Sequence, residues 1–240
     1  MVDTGGGERA WAELIEATCA GLGIRIAHVL LTHWHGDHTG GVPDLIRLYP
    51  HLKDAIYKNE PEDIQQDIRD GQVWEVQGAT VRATHVPGHS NDHMCFILEE
   101  ENAMFTGDNI LGTGTSAVED LGVFMDSLQK MYDSGCMIGY PAHGVTIAKL
   151  PAKIKQELNQ KHRRERQVLK ALKNGRERGQ RSLSVREVVE DMYGNKLDES
   201  TRTLALEPFI GEVLSKLAGD GKVAFEVRQK QRKWFSLEMA

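Results

Sequence analysis

Leu30-Leu31-Thr32-His33-Trp34-His35-Gly36-Asp37-His38-Thr39-Gly40-Gly41 places three imidazoles and one carboxylate within six residues, directly after an apolar run. His33 and His35 are two apart, so on an extended segment they point to the same side. Asp37 and His38 follow in the turn that leads into the apolar-periodic segment Val42 to Leu48. A strand end running into a helix start can aim all four side chains into one space above a sheet edge. Neutral imidazole and carboxylate are ligands that zinc, manganese and iron accept. A single histidine here would read as a solvated loop residue; the His-x-His-x-Asp-His spacing reads as a metal site.

Three later loops are built to complete that cluster. Pro87-Gly88-His89-Ser90, Phe105-Thr106-Gly107-Asp108-Asn109 and Tyr140-Pro141-Ala142-His143-Gly144 each offer one ligand type after an apolar stretch. Each also holds a glycine that permits close backbone approach. Taken singly, His89 and His143 are ordinary loop histidines and Asp108 a turn former. Their repetition at strand ends points to one shared site.

Composition fits a globular chain: 240 residues, 40% hydrophobic and 27% charged, enough for one large domain or a domain with a small appendage. The net charge of −6 argues against general nucleic-acid binding, although local patches can oppose the average. Cys19, Cys95 and Cys136 are an odd number without paired spacing. They read as buried thiols in a reducing compartment, not as a disulfide framework. No apolar run approaches the ~20 residues needed to span a bilayer. Asp3, Glu8, Glu13 and Glu16 occupy the region where a signal peptide would be apolar. The expected location is cytoplasmic, with no membrane partner.

The patterning alternates strand and helix. Residues 1–7 read as the end of a strand entering a tight turn, 8–22 as a helix stopped at Gly21/Gly23, and 24–31 as the buried strand that delivers the metal loop. A strand is expected within 50–57, a polar helical insertion over 61–69, and an antiparallel pair turning at Gln77-Gly78 over 72–86. Residues 95–99 and 103–106 flank a charged turn as a hairpin, 116–132 reads as a helix and 136–140 as a strand. The sum is layered α/β architecture with a mixed sheet. Composition changes at Pro151, giving a domain at 1–150 and a second at 151–240. The second opens with a charged helix, 153–172, ended by Asn174-Gly175. Helices at 185–193 and 206–219 and strands at 223–227 and 233–237 follow, a winged-helix-like order.

The series Thr-His-x-His-x-Asp-His, Gly-His, Gly-Asp, His-Gly, in this order, resembles the metallo-beta-lactamase superfamily over roughly residues 2–150. The resemblance implies an αββα sandwich with a site for two divalent metal ions, Zn2+ or Mn2+, at one edge. His33, His35 and His89 would hold the first metal, and Asp37, His38 and His143 the second, with Asp108 bridging. Asp37 and Asp108 would be the catalytic carboxylates. In the superfamily the Asp3-Thr4-Gly5 turn is preceded by several strands, so the first strands are expected to be missing from this catalytic domain, leaving an incomplete sheet with an exposed edge. The text of residues 33–49, His89-Ser-Asn-Asp-His-Met-Cys-Phe and Gly107-Asp-Asn-Ile-Leu-Gly resembles the fungal lactamase-like thioesterases beside non-reducing polyketide synthases, of the atrochrysone carboxyl ACP thioesterase type.

That resemblance implies a metal-dependent hydrolase that cleaves a polyketide acyl thioester from an acyl carrier protein in secondary metabolism. A dinuclear centre lowers the pKa of bound water towards about 7 and takes up developing oxyanion charge, so no serine or cysteine nucleophile is required. The alternative is a metal-dependent endoribonuclease of the lactamase-like type, which would take RNA as its partner. His93, four residues after His89, reads equally as a group near the leaving group and as a structural histidine. Trp34 and Asn109 read as packing beside the site, and Thr32 and Asp92 as residues that fix imidazole tautomers. The run of Lys161, Arg163, Arg164, Arg166, Lys170, Lys173, Arg176, Arg178 and Arg181 reads first as a solvated helix face. A docking surface for an acidic carrier protein is the second reading and RNA binding the third. Aromatic residues, which single-strand binding adds, are missing from the run.

Overall fold

The computed structural model describes residues 1–62 and 64–237. They form two compact units, the first made of residues 1–119 and 126–155, the second of residues 120–125 and the chain from 156 onwards.

In the first unit, α1 (Arg9–Leu22) ends where Gly23 turns left-handed at φ 61°, as the glycine signal indicates. The expected strand from Ile24 shrinks to β1 (Val29–Leu30), because only the residues facing a neighbour find ladder partners. Ile24 itself is exposed. Val2 bridges to Leu30 in parallel on the other side. The metal loop then gives α2 (Gly36–Thr39) and α3 (Val42–Leu48). A 3-10 turn over Pro50–Asp54 leads into β2 (Ile56–Lys58), so the strand expected within 50–57 starts late. The helical insertion expected over 61–69 is corrected. Its described residues include β3 (Gln66–Asp67), which pairs in parallel with β2, while Asp63 lies outside the described residues.

The second sheet runs β4 (Val73–Val76), β5 (Ala79–His85), β6 (Met94–Leu98), β7 (Ala103–Gly107) and β8 (Ile138–Pro141). Its pairs are antiparallel except the last, β7 with β8, which is parallel. The turns at Gln77-Gly78 and Asn102 are where the sequence places them, with φ 83° at Gly78 and 48° at Asn102. Between β7 and β8 lies α4 (Leu121–Asp133), which begins five residues later than its apolar stripe suggests. The part of α4 in this unit is tied to β5: Ser127 donates to the Pro87 carbonyl at 2.7 Å and Lys130 to that of His85 at 3.0 Å.

Alternation along β1 explains the layering. Val29 and Leu31 pack with Cys19, Val42, Leu45 and Ile56 beneath α1 and α3. Leu30 faces the opposite way, against Ile68, Trp74, Ala83, Met94 and Phe96 of the second sheet. Cys19, Cys95 and Cys136 are all buried and free.

The second unit takes up α5 (Leu150–Glu177) from residue 156, then α6 (Val185–Tyr193), α7 (Glu199–Thr201), a wide π-type turn over Arg202–Leu206, α8 (Glu207–Gly219), and the hairpin β9 (Val223–Arg228) and β10 (Gln231–Ser236). The expected stop of α5 at Asn174-Gly175 is corrected. The helix passes through Gly175, where an added Cβ would sit 2.8 Å from the Leu183 side chain. That glycine serves close packing, and the left-handed exit falls at Gly179, φ 83°. Ser184 and Glu187 close a reciprocal capping box on α6. The hairpin turns through Gln229 and Lys230, both left-handed at φ 49° and 62°, which matches strand twist. Leu183 exchanges both main-chain hydrogen bonds with Trp234, at 2.8 and 2.6 Å. Among the described residues no helix is long and apolar enough to cross a membrane.

Candidate metal centre

The seven candidate ligands converge at the strand ends of the first unit. His33 and His35 leave β1, Asp37 and His38 sit on α2, His89 follows β5, Asp108 follows β7 and His143 follows β8. His33, His38 and His89 are buried, while Asp37 and His143 are exposed at the mouth. A cavity of about 330 Å³ opens there, lined by Asp37, His38 and His143 together with Tyr140 and Trp11.

One half of the site is a triangle of nitrogens. His33 Nε2 lies 2.9 Å from His35 Nδ1 and 3.2 Å from His89 Nε2, and His89 Nε2 lies 3.1 Å from His35 Nδ1. The neighbours of these rings fix their tautomers. Thr32 Oγ1 donates its single proton to Asp3 Oδ2 at 2.9 Å, so at 2.9 Å it accepts from His33 Nδ1–H. His89 Nδ1–H donates to the Ala117 carbonyl at 2.9 Å. Both Nε2 atoms are therefore bare lone pairs facing each other. That is unfavourable without a cation, and the spacing suits one: tetrahedral Zn–N bonds of about 2.1 Å place nitrogens about 3.4 Å apart.

The other half is mixed. Asp37 Oδ2 lies 3.2 Å from His143 Nε2 and 3.5 Å from His38 Nε2. Asp108 spans both halves: Oδ1 is 3.6 Å from His38 Nε2 and 3.4 Å from His143 Nε2, and Oδ2 is 3.7 Å from His89 Nε2. His38 Nε2 and Asp108 Oδ1 are buried without a hydrogen-bond partner, although buried polar atoms are normally satisfied. These orphaned atoms and the bare imidazole pair fit a site for divalent cations. The groups His33/His35/His89, His33/His38/Asp108 and Asp37/His38/His143 are each compact enough to hold one ion.

The electrostatics follow from crowding. Burial and the neighbouring His93, His38, His89 and His35 hold His33 far below the ordinary imidazole range. Burial works against the charged form of His38 as well, but the carboxylates of Asp108 and Asp3 outweigh it and lift His38 to about 10. Burial would raise Asp108, yet His38, His143 and His89 hold it below the carboxylate range.

The family model described as the metallo-beta-lactamase superfamily matches residues 1–173. The chain belongs to that superfamily. Solved metallo-beta-lactamase folds agree with the architecture. A beta-lactamase domain protein from Burkholderia ambifaria superposes with a TM-score of 0.73 at 18% identity, covering 98% of this chain and 83% of that one. A metallo-beta-lactamase family protein from Thermus thermophilus gives 0.65 at 22% identity, covering 98% and 89%. Among named relatives, an atrochrysone carboxyl ACP thioesterase of Claviceps purpurea is 67% identical over 99% of this chain and 77% of its own length. One from Pseudocercospora fijiensis is 68% identical over 100% and 72%.

Around this metallo-beta-lactamase centre, Asp92 and Trp34 depart from their sequence reading, while His93 and Asn109 take structural places. His93 is fully buried, and its Nε2 accepts the Asp108 N–H at 3.0 Å. Burial pushes its pKa down to about 3, so it is a neutral, enclosed support for the Asp108 main chain. Gly107, at φ 49°, leaves room for it: a Cβ there would lie 2.5 Å from His93 Nε2. Asp92 touches no imidazole; it forms a buried ion pair with Lys58 at 2.8 Å and accepts from Ser90. Asn109 is structural, donating to the Val86 carbonyl at 2.7 Å. Trp34, by contrast, stands 53% exposed beside the His35 ring.

Asp3 is a site residue that sequence reasoning missed. Its Oδ1 accepts from Thr32 N–H at 2.7 Å, and its Oδ2 from Thr32 Oγ1–H at 2.9 Å and His38 Nδ1–H at 2.8 Å. Its signal is the Asp-Thr-Gly turn itself, which a strand pairing beside β1 brings against the metal loop.

Proposed function

We propose that this chain cleaves the acyl thioester of a polyketide from an acyl carrier protein, releasing the product in aromatic polyketide biosynthesis. The observation that carries the reading is the identity of 67% and 68%, across 99% and 100% of the chain, with relatives named atrochrysone carboxyl ACP thioesterase. The His/Asp centre supports it, because thioester hydrolysis needs an activated water and a sink for oxyanion charge.

Residues 1–150 are the catalytic domain, and residues 151–240 a basic helix with a winged-helix-like domain. His33, His35 and His89 would hold one metal and Asp37, His38 and His143 the other, with Asp108 within reach of both groups. Imidazole nitrogens with carboxylate oxygens suit Zn2+, and Mn2+ is accepted by the same donors. When bound, such ions acidify a water and polarise a carbonyl. Asp37, exposed at the mouth, is the carboxylate that meets the incoming water, and Asp108 fixes the charge balance between the two halves. Asp3 and Thr32 hold the His33 and His38 rings so that both Nε2 atoms face the site, where a bound cation would take the place of the proton on His38. In the net reaction the water oxygen joins the carbonyl carbon, the C–S bond breaks, and the carrier thiol leaves with the proton. The reaction belongs to the cytoplasm, where the reduced cysteines are at home.

A parallel assay of metal-loaded protein on an acyl thioester and on single-stranded RNA tests the reading, with Asp37→Ala as control. Thioester cleavage that falls more than tenfold in the variant is the expected result. RNA cleavage lost in the variant, with no thioester turnover, would move the chain to the nucleases.

A further inference from the structure

Charge is unevenly distributed along the chain. Residues 156–240 carry 18 Lys and Arg against 13 Asp and Glu, a net of +5, whereas residues 1–155 carry 11 against 22, a net of −11. Within the second unit, a groove of about 920 Å³ runs between the end of α5 and β10. Its floor is apolar, made by Leu172, Leu183 and Trp234, which are 4%, 1% and 3% exposed. Lys170, Lys173 and Arg176 stand exposed along its α5 rim. At spacings of three residues they span about 9 Å within a third of the helix circumference.

Two features mark this groove as a surface awaiting a partner. Arg178, Arg186, Lys222 and Arg228 elsewhere on the second unit are paired, with Asp191, Glu190, Asp220 and Glu226. Lys170, Lys173 and Arg176 have no ion pair among the described residues, and Glu177 is the one acidic residue on the groove lining. Further, Trp234 Nε1 is buried with no hydrogen-bond partner, an unmet donor of a kind that folded chains rarely keep.

We infer that this groove docks the acidic, amphipathic helix of the acyl carrier protein that presents the substrate. The apolar face of such a helix packs on the half-buried Leu169 and Phe235 above the Leu172–Leu183–Trp234 floor, and its carboxylates meet Lys170, Lys173 and Arg176. Charge complementarity of this kind sets encounter rate and partner choice. The inference rests on the thioesterase reading above and adds to it the face that recognises the carrier.

The test compares wild type with Lys170→Glu/Lys173→Glu/Arg176→Glu, three exposed positions whose reversal leaves the floor intact. Affinity for the isolated carrier domain is measured against salt, beside turnover of a small thioester that carries no protein. The expected result is a loss of carrier affinity of more than tenfold, a flatter salt dependence, and small-thioester turnover within twofold of wild type. Unchanged carrier affinity with turnover intact overturns the docking face and leaves the thioesterase reading standing. Carrier affinity lost in the variant, while the wild type cleaves no thioester, supports the docking face and overturns the chemistry. Single-stranded RNA affinity abolished by the variant, with carrier affinity untouched, assigns these cations to nucleic acid and overturns the proposal.

Discussion

Asp3 adopts φ 54°, a left-handed backbone that L-residues seldom hold, and gives both carboxylate oxygens to Thr32 and His38. Asparagine tolerates the same backbone region, so Asp3→Asn keeps the turn and removes one acceptor. The single amide oxygen then cannot serve Thr32 N–H at one end of the group and Thr32 Oγ1–H with His38 Nδ1–H at the other. Expected is a loss of about 10–100-fold in kcat/KM with a matching fall in metal affinity, read by kinetics and metal titration; full activity would show that the imidazoles orient themselves. Trp34 offers a contrasting case. Its exposed ring beside His35 is placed to stack on an aromatic acyl group, worth about 1 kcal/mol. Trp34→Ala should raise KM about fivefold for an aromatic acyl thioester and leave an acetyl thioester unchanged. The convergence of the candidate histidines was legible because each follows an apolar stretch and stands beside a glycine or another candidate. Asp3 was not, since its partners lie 29 and 35 residues away and only tertiary pairing brings them near.

Among the elements, the contact of α5 with α8 depends on a nearly buried pair. Glu165 and Lys216 side chains are 7% and 13% exposed and hydrogen-bonded to each other. Burial would raise Glu165, but Lys216 and His162 outweigh it and hold its carboxyl below the usual glutamate range. A carboxylate depressed in the folded state stabilises above its unfolded pKa of about 4.3, and that contribution is lost as pH falls through the lower folded value. Glu165→Gln should therefore cost about 2 kcal/mol at pH 7, and the gap from wild type should close as the pH drops below 4. Urea unfolding midpoints at pH 7, 5 and 3.5 measure this; a gap independent of pH would argue against the ion pair. The strand-turn-strand signals at Gly78, Asn102 and the C-terminal hairpin were readable because alternation and turn residues coincide there. β3 was not readable: Gln66 and Asp67 are polar and exposed, so its pairing with β2 leaves no hydrophobic pattern. Gly175 misled in the opposite direction, being a packing glycine inside a helix.

For the whole molecule, the metal loop fixed the superfamily before any sheet order could be read, because ligand spacing is local and sheet order is not. Parallel pairing of β1 with β2 and of β7 with β8 depends on crossovers that the sequence pattern does not encode residue by residue. Stability should depend on the ions as well. Ligand linkage contributes about 4 kcal/mol when metal exceeds its Kd a thousandfold, so chelation should lower the melting temperature of the first unit by several degrees. Adding Zn2+ or Mn2+ back should restore it. Calorimetry with and without chelator measures this, and an unchanged transition would mean that the lone pairs of His33 and His89 face each other at no cost.

The burial of Cys19, Cys95 and Cys136 determines how turnover can be watched. Burial pushes the Cys95 thiol well above its ordinary range, and a protonated, enclosed thiol does not attack a disulfide dye. The buried thiols of the folded enzyme are therefore slow toward thiol-trapping reagents. Colour that develops in such an assay above a substrate-free control comes from the thiol set free by thioester cleavage, so reaction progress can be followed continuously without blocking the protein first.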